Sequence, residues 1–247
     1  MKNFLFLVKK FLINLFFPVF CLSCGKEGEY LCQDCRAILP ISENYFCLCQ
    51  KPIRLPKSGK CKKCQTKKLN GLYFALSYQN KLAKKIIQMF KYQPFVKDLA
   101  KTLASLIIIH FQLIEKGGNF SDFILIPVPL AKRKLKERGF NQAEEIGKEL
   151  SDFLKISPLG NCLFKIKETS PQIELSEKER EENVLGVFSC QNKNKIQGKK
   201  IFLIDDVYTT GSTMEECARV LKTAGAKEVW GIAVARAEPG EDNFENV

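Results

Sequence analysis

The chain has 247 residues, 45% of them apolar, which suits one large domain or a small module joined to a core of ordinary size. No stretch reaches 18 uninterrupted apolar residues, so no transmembrane helix is expected. The formal net charge of +12 is unevenly spread. Residues 1–69 hold 13 Lys+Arg against 4 Asp+Glu, or +9, and residues 70–247 hold 26 against 23, or +3; a basic front end over a near-neutral body points to a polyanionic partner.

Residues 2–20, KNFLFLVKKFLINLFFPVF, look at first like a secretion signal. Lys9 and Lys10 interrupt the apolar run, and Phe20 is too large for a cleavage site. On a helical wheel Lys2, Asn3, Lys9, Lys10 and Asn14 share one arc, which predicts an amphipathic helix over 1–20 stopped by Pro18. The chain is accordingly expected to be cytoplasmic, with reduced cysteines.

Eight of the eleven cysteines fall in four close pairs: Cys21/Cys24, Cys32/Cys35, Cys47/Cys49 and Cys61/Cys64. In a reducing compartment this spacing predicts structural zinc, because two thiolates on a tight turn grip one Zn²⁺ and a second pair closes the tetrahedron. The only histidine, His110, lies far away in an apolar helix and reads as a core residue, so both sites must be all-cysteine. Sequential pairing gives Cys21, Cys24, Cys32 and Cys35 at one site and Cys47, Cys49, Cys61 and Cys64 at the other; interleaved pairing is also open. The double zinc ribbon is placed at 21–69. Lys51, Arg54, Lys57, Lys60, Lys62, Lys63, Lys67 and Lys68 make its second half a nucleic-acid face. Cys162, Cys190 and Cys217 read as buried thiols.

From residue 70 to 247 strands and helices alternate. Strands are expected at 72–78, 123–129 and 162–167, and in VFSC, KKIFLID and EVWGIAVAR, with helices at 81–92, 97–116, 142–155 and MEECARVLKTAG. AKRKLKERGFNQ reads as a basic loop, and 168–183 as a mobile polar one. Alternation of this kind indicates an α/β fold on a parallel sheet, whose ligands bind past the carboxyl ends of the strands. There is no GxxxxGK[ST], GxGxxG or HExxH, and a single histidine disfavours a Ser/His or Cys/His triad.

IFLIDDVYTTGST (201–213) supplies the candidate site. Asp205 and Asp206 at a strand end can accept hydrogen bonds from ribose hydroxyls, while the turn of Thr209, Thr210, Gly211, Ser212 and Thr213 wraps a 5′-phosphate at a helix N-terminus. Four apolar residues, Asp-Asp and Thr-Thr-Gly-x-Thr in register resemble the 5-phosphoribosyl 1-diphosphate (PRPP) motif of type I phosphoribosyltransferases; Tyr208 stands where many members carry an aliphatic residue.

Leu-Phe-Phe-Pro before a CxxC, IPVPL (126–130), RGFNQ (138–142), TSPQxxLSxxER–EN and DDVYTTGST occur in that order over nearly the whole chain. This order resembles the ComF family, which joins a zinc-binding cysteine module to a phosphoribosyltransferase-like domain and is linked to natural transformation. The resemblance implies a parallel-sheet type I phosphoribosyltransferase fold that binds PRPP with Mg²⁺. Asp205 and Asp206 would be the catalytic acids, Lys132, Arg133 and Arg138 with Lys91 the diphosphate candidates, and 168–183 a lid. Two functions fit. One is phosphoribosyl transfer to an unidentified acceptor. The other is a non-catalytic module that binds single-stranded DNA or a helicase-like ATPase and keeps the PRPP site as a sensor or relic.

Overall fold

The computed structural model describes residues 16, 18–92, 96–115, 120–157, 162–169 and 177–238. Most of the helix expected over 1–20 and the middle of the segment 168–183 lie outside these residues. The chain divides into two compact units, Met1–Pro40 and Ile41–Val247.

In the first unit the backbone turns tightly at Cys21–Cys24, with Gly25 in the left-handed region (φ 76°) and its N–H donating to Cys21 O at 2.9 Å. A short helix, α1 (Gln33–Ala37), follows directly on Cys32. The backbone therefore brings the two cysteine pairs together, and among the described residues of this unit Leu31 and Leu39 are the apolar side chains buried beside the cysteines.

The second unit is built on a six-stranded sheet of order β2-β1-β3-β8-β7-β4. Its strands are β1 (Tyr45–Phe46), β2 (Arg54–Leu55), β3 (Gly71–Ser77), β4 (Phe123–Pro127), β7 (Lys200–Tyr208) and β8 (Glu228–Arg236). β3, β8, β7 and β4 are parallel, and β1 and β2 add antiparallel at the β3 edge. The parallel strands are long apolar runs, as sheets covered on both faces require. Alternation along β7 sends Ile201 and Leu203 into one core with Cys217, Ala218 and Leu221, and Phe202 into an aromatic cluster with Tyr73, Phe111, Phe120 and Phe123.

The helices α2 (Lys81–Lys91), α3 (Leu99–Ile114) and α5 (Gln142–Leu154) match the expected ones closely. α3 and α5 pack on each other and on the sheet, and α7 (Ser212–Thr223) packs on β7 and β8. β5 (Leu163–Lys165) and β6 (Phe188–Cys190) form a separate antiparallel pair, reached through α6 (Glu177–Val184). Among the described residues no helix is long and apolar enough to cross a membrane.

The basic run after β4 departs from expectation. Lys132–Arg138 is a helix, α4, entered from extended Ala131 and closed by Gly139 in the left-handed region (φ 77°). Lys, Arg, Leu and Glu are good helix formers, and glycine stops them without strain. Part of the expected polar loop is likewise helical, as α6. His110 is a buried core residue, as read. Its Nδ1 lies 2.6 Å from Ser42 O, which only an N–H there can satisfy, and burial lowers its pKa to about 4.

Candidate binding site at the carboxyl ends of the strands

β7 carries the chain through Asp205 and Asp206 to Tyr208, the turn follows, and α7 starts at Ser212. Asp206 is 5% exposed, and its Oδ1 lies 2.8 Å from Lys91 Nζ at the end of α2. Its N–H donates to Asp205 Oδ1 at 2.9 Å. Burial and the Asp206 charge push the Asp205 carboxyl up to about 7, against the pull of Lys91. Burial alone would lower Lys91, but Asp206 and Asp205 outweigh it and raise it. The strand end is therefore a strained acidic pair held by one lysine, as catalytic and ligand sites often are.

The turn is set by Gly211 (φ 83°), the N-cap of α7, which no side chain caps. Thr210 Oγ1 and Ser212 Oγ share a hydrogen bond of 2.8 Å. A Cβ on Gly211 would run into the ring and hydroxyl of Tyr208. Gly211→Ala combines that clash with an unfavourable φ, so it is expected to cost about 2–3 kcal/mol and displace the turn. Thermal melting of the variant checks this.

A cavity of about 250 Å³ opens past β3, β4 and β7. Asp205, Asp206, Thr209, Gly211 and Thr213 line it from the motif side; Thr210 and Ser212 support the turn and are not among its lining residues. Of the basic residues singled out from the sequence, Lys91 and Arg138 line the cavity, whereas Lys132 and Arg133 do not. Lys134, Lys165 and Arg180 line it as well. Lys134 sits one turn before Arg138 and shares its helix face, a relation hidden when the run is read as a loop. Lys165 on β5 and Arg180 on α6 arrive from distant segments with no shared spacing. Desolvation, then the Arg138 and Lys91 charges, lower the Lys134 pKa; desolvation and Lys134 lower Lys165. Cations crowded in this way favour an anion between them.

The RGFNQ segment is the scaffold for this wall. Arg138 donates to Gln142 Oε1 at 3.0 Å and lies over the Tyr92 ring. Asn141 caps α5 by accepting from Ala143 N–H and donates to Val128 O, tying α5 to the end of β4. On the opposite side Glu216 accepts from Gly186 N–H at 2.9 Å and pairs with Arg219, fixing α7 to the segment before β6.

The eight paired cysteines form two groups, Cys21, Cys24, Cys32 and Cys35, and Cys47, Cys49, Cys61 and Cys64, with each group's Sγ atoms within 4.8 Å of one another. Of the two pairings open from sequence, this is the sequential one. Sγ···Sγ separations of 3.4–3.6 Å approach the ~3.8 Å edge of a tetrahedron with Zn–S bonds of about 2.3 Å. Backbone N–H groups already point at sulfur, as thiolates require: Cys32 N–H at Cys21 Sγ and Cys61 N–H at Cys47 Sγ. Each group can hold one metal ion and leaves no cysteine position open.

The second group belongs to the same compact unit as the sheet. Arg236, 3% exposed at the end of β8, donates from Nη1 to Cys47 O at 2.6 Å and from Nη2 to Cys49 O, and its guanidinium lies over the Tyr208 ring. Glu215 in the first turn of α7 accepts from the N–H groups of Lys68 and Leu69, just past Cys64. Neither residue stands out in the sequence.

The phosphoribosyl transferase domain family matches residues 141–243, which include the strand–turn–helix motif. Competence protein F of Haemophilus influenzae is 33% identical over 227 residues, covering 84% of this chain and 98% of its own. Competence protein ComFC of Bacillus subtilis is 28% identical over 212 residues, 81% of each chain. The APRTase of Giardia lamblia aligns at 15% identity over 63% of this chain and 72% of that one with a TM-score of 0.36, too loose a likeness to argue from. At 33% identity over most of both chains, competence protein F shows the kinship, and the chain belongs to the ComF family of competence proteins.

Proposed function

We propose that the chain binds PRPP with Mg²⁺ in the cavity at the ends of β3, β4 and β7 and serves natural competence from the cytoplasm. The observation that carries this reading is the cavity's division of charge. Asp205 and Asp206, with Lys91 paired to them, lie at one side, the Thr209–Thr213 turn beside them, and Lys134, Arg138, Lys165 and Arg180 line the rest. A ligand with two ribose hydroxyls, a 5′-phosphate and a diphosphate matches those three zones. Mg²⁺ would be held by the acid pair with ligand oxygens and would neutralise charge on the diphosphate.

If the site turns over, an acceptor nucleophile bonds to C1 as the C1–O bond breaks and diphosphate leaves with the electron pair. This chain's own residues then position and stabilise. The acids hold the ribose, the turn holds the phosphate, and Lys134 and Arg138 receive the growing negative charge. Residues 168–183, with Arg180 lining the cavity, are the candidate lid. In each four-cysteine group Zn²⁺ would be structural.

Titration calorimetry with PRPP tests the reading. Mg²⁺-dependent binding to the native chain is expected, with at least about a hundredfold loss in Asp205→Asn/Asp206→Asn. No binding to the native chain sinks it. A second reading, single-stranded DNA or a helicase-like partner on the cysteine module, rests on the exposed Lys51, Arg54, Lys57, Lys62, Lys63 and Lys68. Lys60 and Lys67 are less suited, because their ammonium groups donate to backbone carbonyls of the module itself.

A further inference from the structure

We infer that Arg236 and Glu215 are positioning residues that couple the second four-cysteine centre to the phosphate-binding turn, so that metal loading there and ligand binding at the turn strengthen each other. The inference rests on the proposed PRPP site and adds a control to it.

The turn is gripped at both flanks by the cysteine centre. On the strand side the Arg236 fork holds the carbonyls of Cys47 and Cys49, the first ligand pair, and its face covers Tyr208. Tyr208, 3% exposed, sits directly beneath Gly211, the residue that sets the turn. Strand pairing reinforces the link, since Tyr208 stands opposite Arg236 and Ala237 N–H donates to Tyr208 O at 2.9 Å. On the helix side Glu215 holds the backbone just past Cys64, which belongs to the second ligand pair. Its own helix begins at the turn, and Glu215 N–H donates to Gly211 O at 2.8 Å. Each ligand pair is thus tied to a different end of the same short segment, 208–215.

Charge makes the strand-side strut conditional on the metal. Four thiolates around a divalent ion carry a net charge of −2, and Arg236 is the buried cation whose fork sits on that centre. Loss of the metal frees the loops that present the Cys47 and Cys49 carbonyls and removes the negative centre. A buried guanidinium then has reason to leave, and Tyr208 loses the group that packs on it. The turn can exist in a clamped and an unclamped arrangement, and metal and phosphate both favour the clamped one. Linkage makes the effect reciprocal.

Two measurements on the full chain test this. Amide hydrogen exchange of residues 208–216 is compared among the zinc-loaded native chain, Arg236→Lys, Glu215→Ala and Cys49→Ser. Faster exchange there by at least about fivefold is expected in all three variants, with protection of residues 99–114 retained in Arg236→Lys and Glu215→Ala. Unchanged exchange in 208–216 in a variant that keeps its fold overturns the inference. Zinc release to a chromophoric chelator is then followed in the native chain with and without PRPP and Mg²⁺. One zinc equivalent is expected to be released at least about fivefold more slowly with the ligand, and Arg236→Lys to abolish the difference. PRPP binding with both equivalents released at unaltered rates overturns the inference even if every variant unfolds. Absence of PRPP binding defeats only the proposed ligand, and hydrogen exchange then decides the coupling.

Discussion

Asp205→Asn is expected to raise the melting temperature of the second unit at pH 8.5 while abolishing ligand binding, and Asp206→Asn is expected to lower it. The two acids are neighbours on one strand, but their partners differ. Asp206 has the Lys91 ammonium at 2.8 Å, so its loss leaves a largely buried cation without its ion pair, costing about 1–3 kcal/mol. Asp205 accepts the Asp206 N–H, but burial and the Asp206 charge outweigh that and the Lys91 charge and push its carboxyl up from 3.8 to about 7. A carboxyl whose folded value lies above its unfolded value makes the folded state bind more protons between those two values. The associated stability is fully present below the unfolded value and is lost as pH rises through about 7. Native Asp205 therefore weakens the fold most above neutrality, and asparagine removes that cost. After discounting for partial exposure and the shared field of Asp206 and Lys91, the gain at pH 8.5 is about 2 kcal/mol, or about 5 °C. Calorimetric melting at pH 6 and 8.5 checks this. The margin over the native chain must shrink towards pH 6, and a margin that grows towards acid contradicts the assignment.

The destabilised acid was legible in sequence as part of a motif, but its strain was not. IFLIDDVYTTGST is local: strand, acids, turn and helix start follow one another, so propensity and spacing alone lay out that wall of the site. The opposite wall is assembled by topology. Lys91 ends α2, Lys165 sits on a strand of a separate two-stranded sheet, and Arg180 lies on α6; nothing in their spacing joins them. Lys134 was within reach of pattern reasoning, since its four-residue offset from Arg138 is a helical one. Reading AKRKLKERGFNQ as a loop concealed it, because the run has no apolar periodicity and α4 buries none of its residues. Arg236 was hidden for a different reason. At the end of an apolar strand it looks like a surface terminus, and the carbonyls it holds lie 189 and 187 residues earlier in the chain. The cysteines show the same division. Their spacing was enough to foresee two four-sulfur groups, yet a composition break near residue 69 could not reveal that β1 pairs with β3 and extends the main sheet.

That difference between the two cysteine groups predicts unequal consequences of losing each. Cys64→Ser is expected to lower the main melting transition by at least about 3 kcal/mol, or to prevent folding. Cys24→Ser is expected to leave that transition within about 2 °C of the native value. Cys47 and Cys64 are buried in the same core as Leu48, Leu69, Leu72 and Phe74, and Phe46 pairs with Leu72 across β1 and β3. Losing that metal would open the core, uncover the β3 edge and strip Arg236 of the loops that hold its fork. A buried serine hydroxyl cannot replace a thiolate ligand, and most of the metal's contribution to folding goes with it. The first group closes a unit of residues 1–40, too short to fold on an apolar core alone, so a metal held there would supply most of its order. Its loss should therefore unfold that unit alone. Scanning calorimetry of both variants, with limited proteolysis to locate the unfolded segment, separates the cases. If Cys24→Ser lowers the main transition as far as Cys64→Ser does, the two units do not fold independently and the unequal roles given to the two centres are wrong.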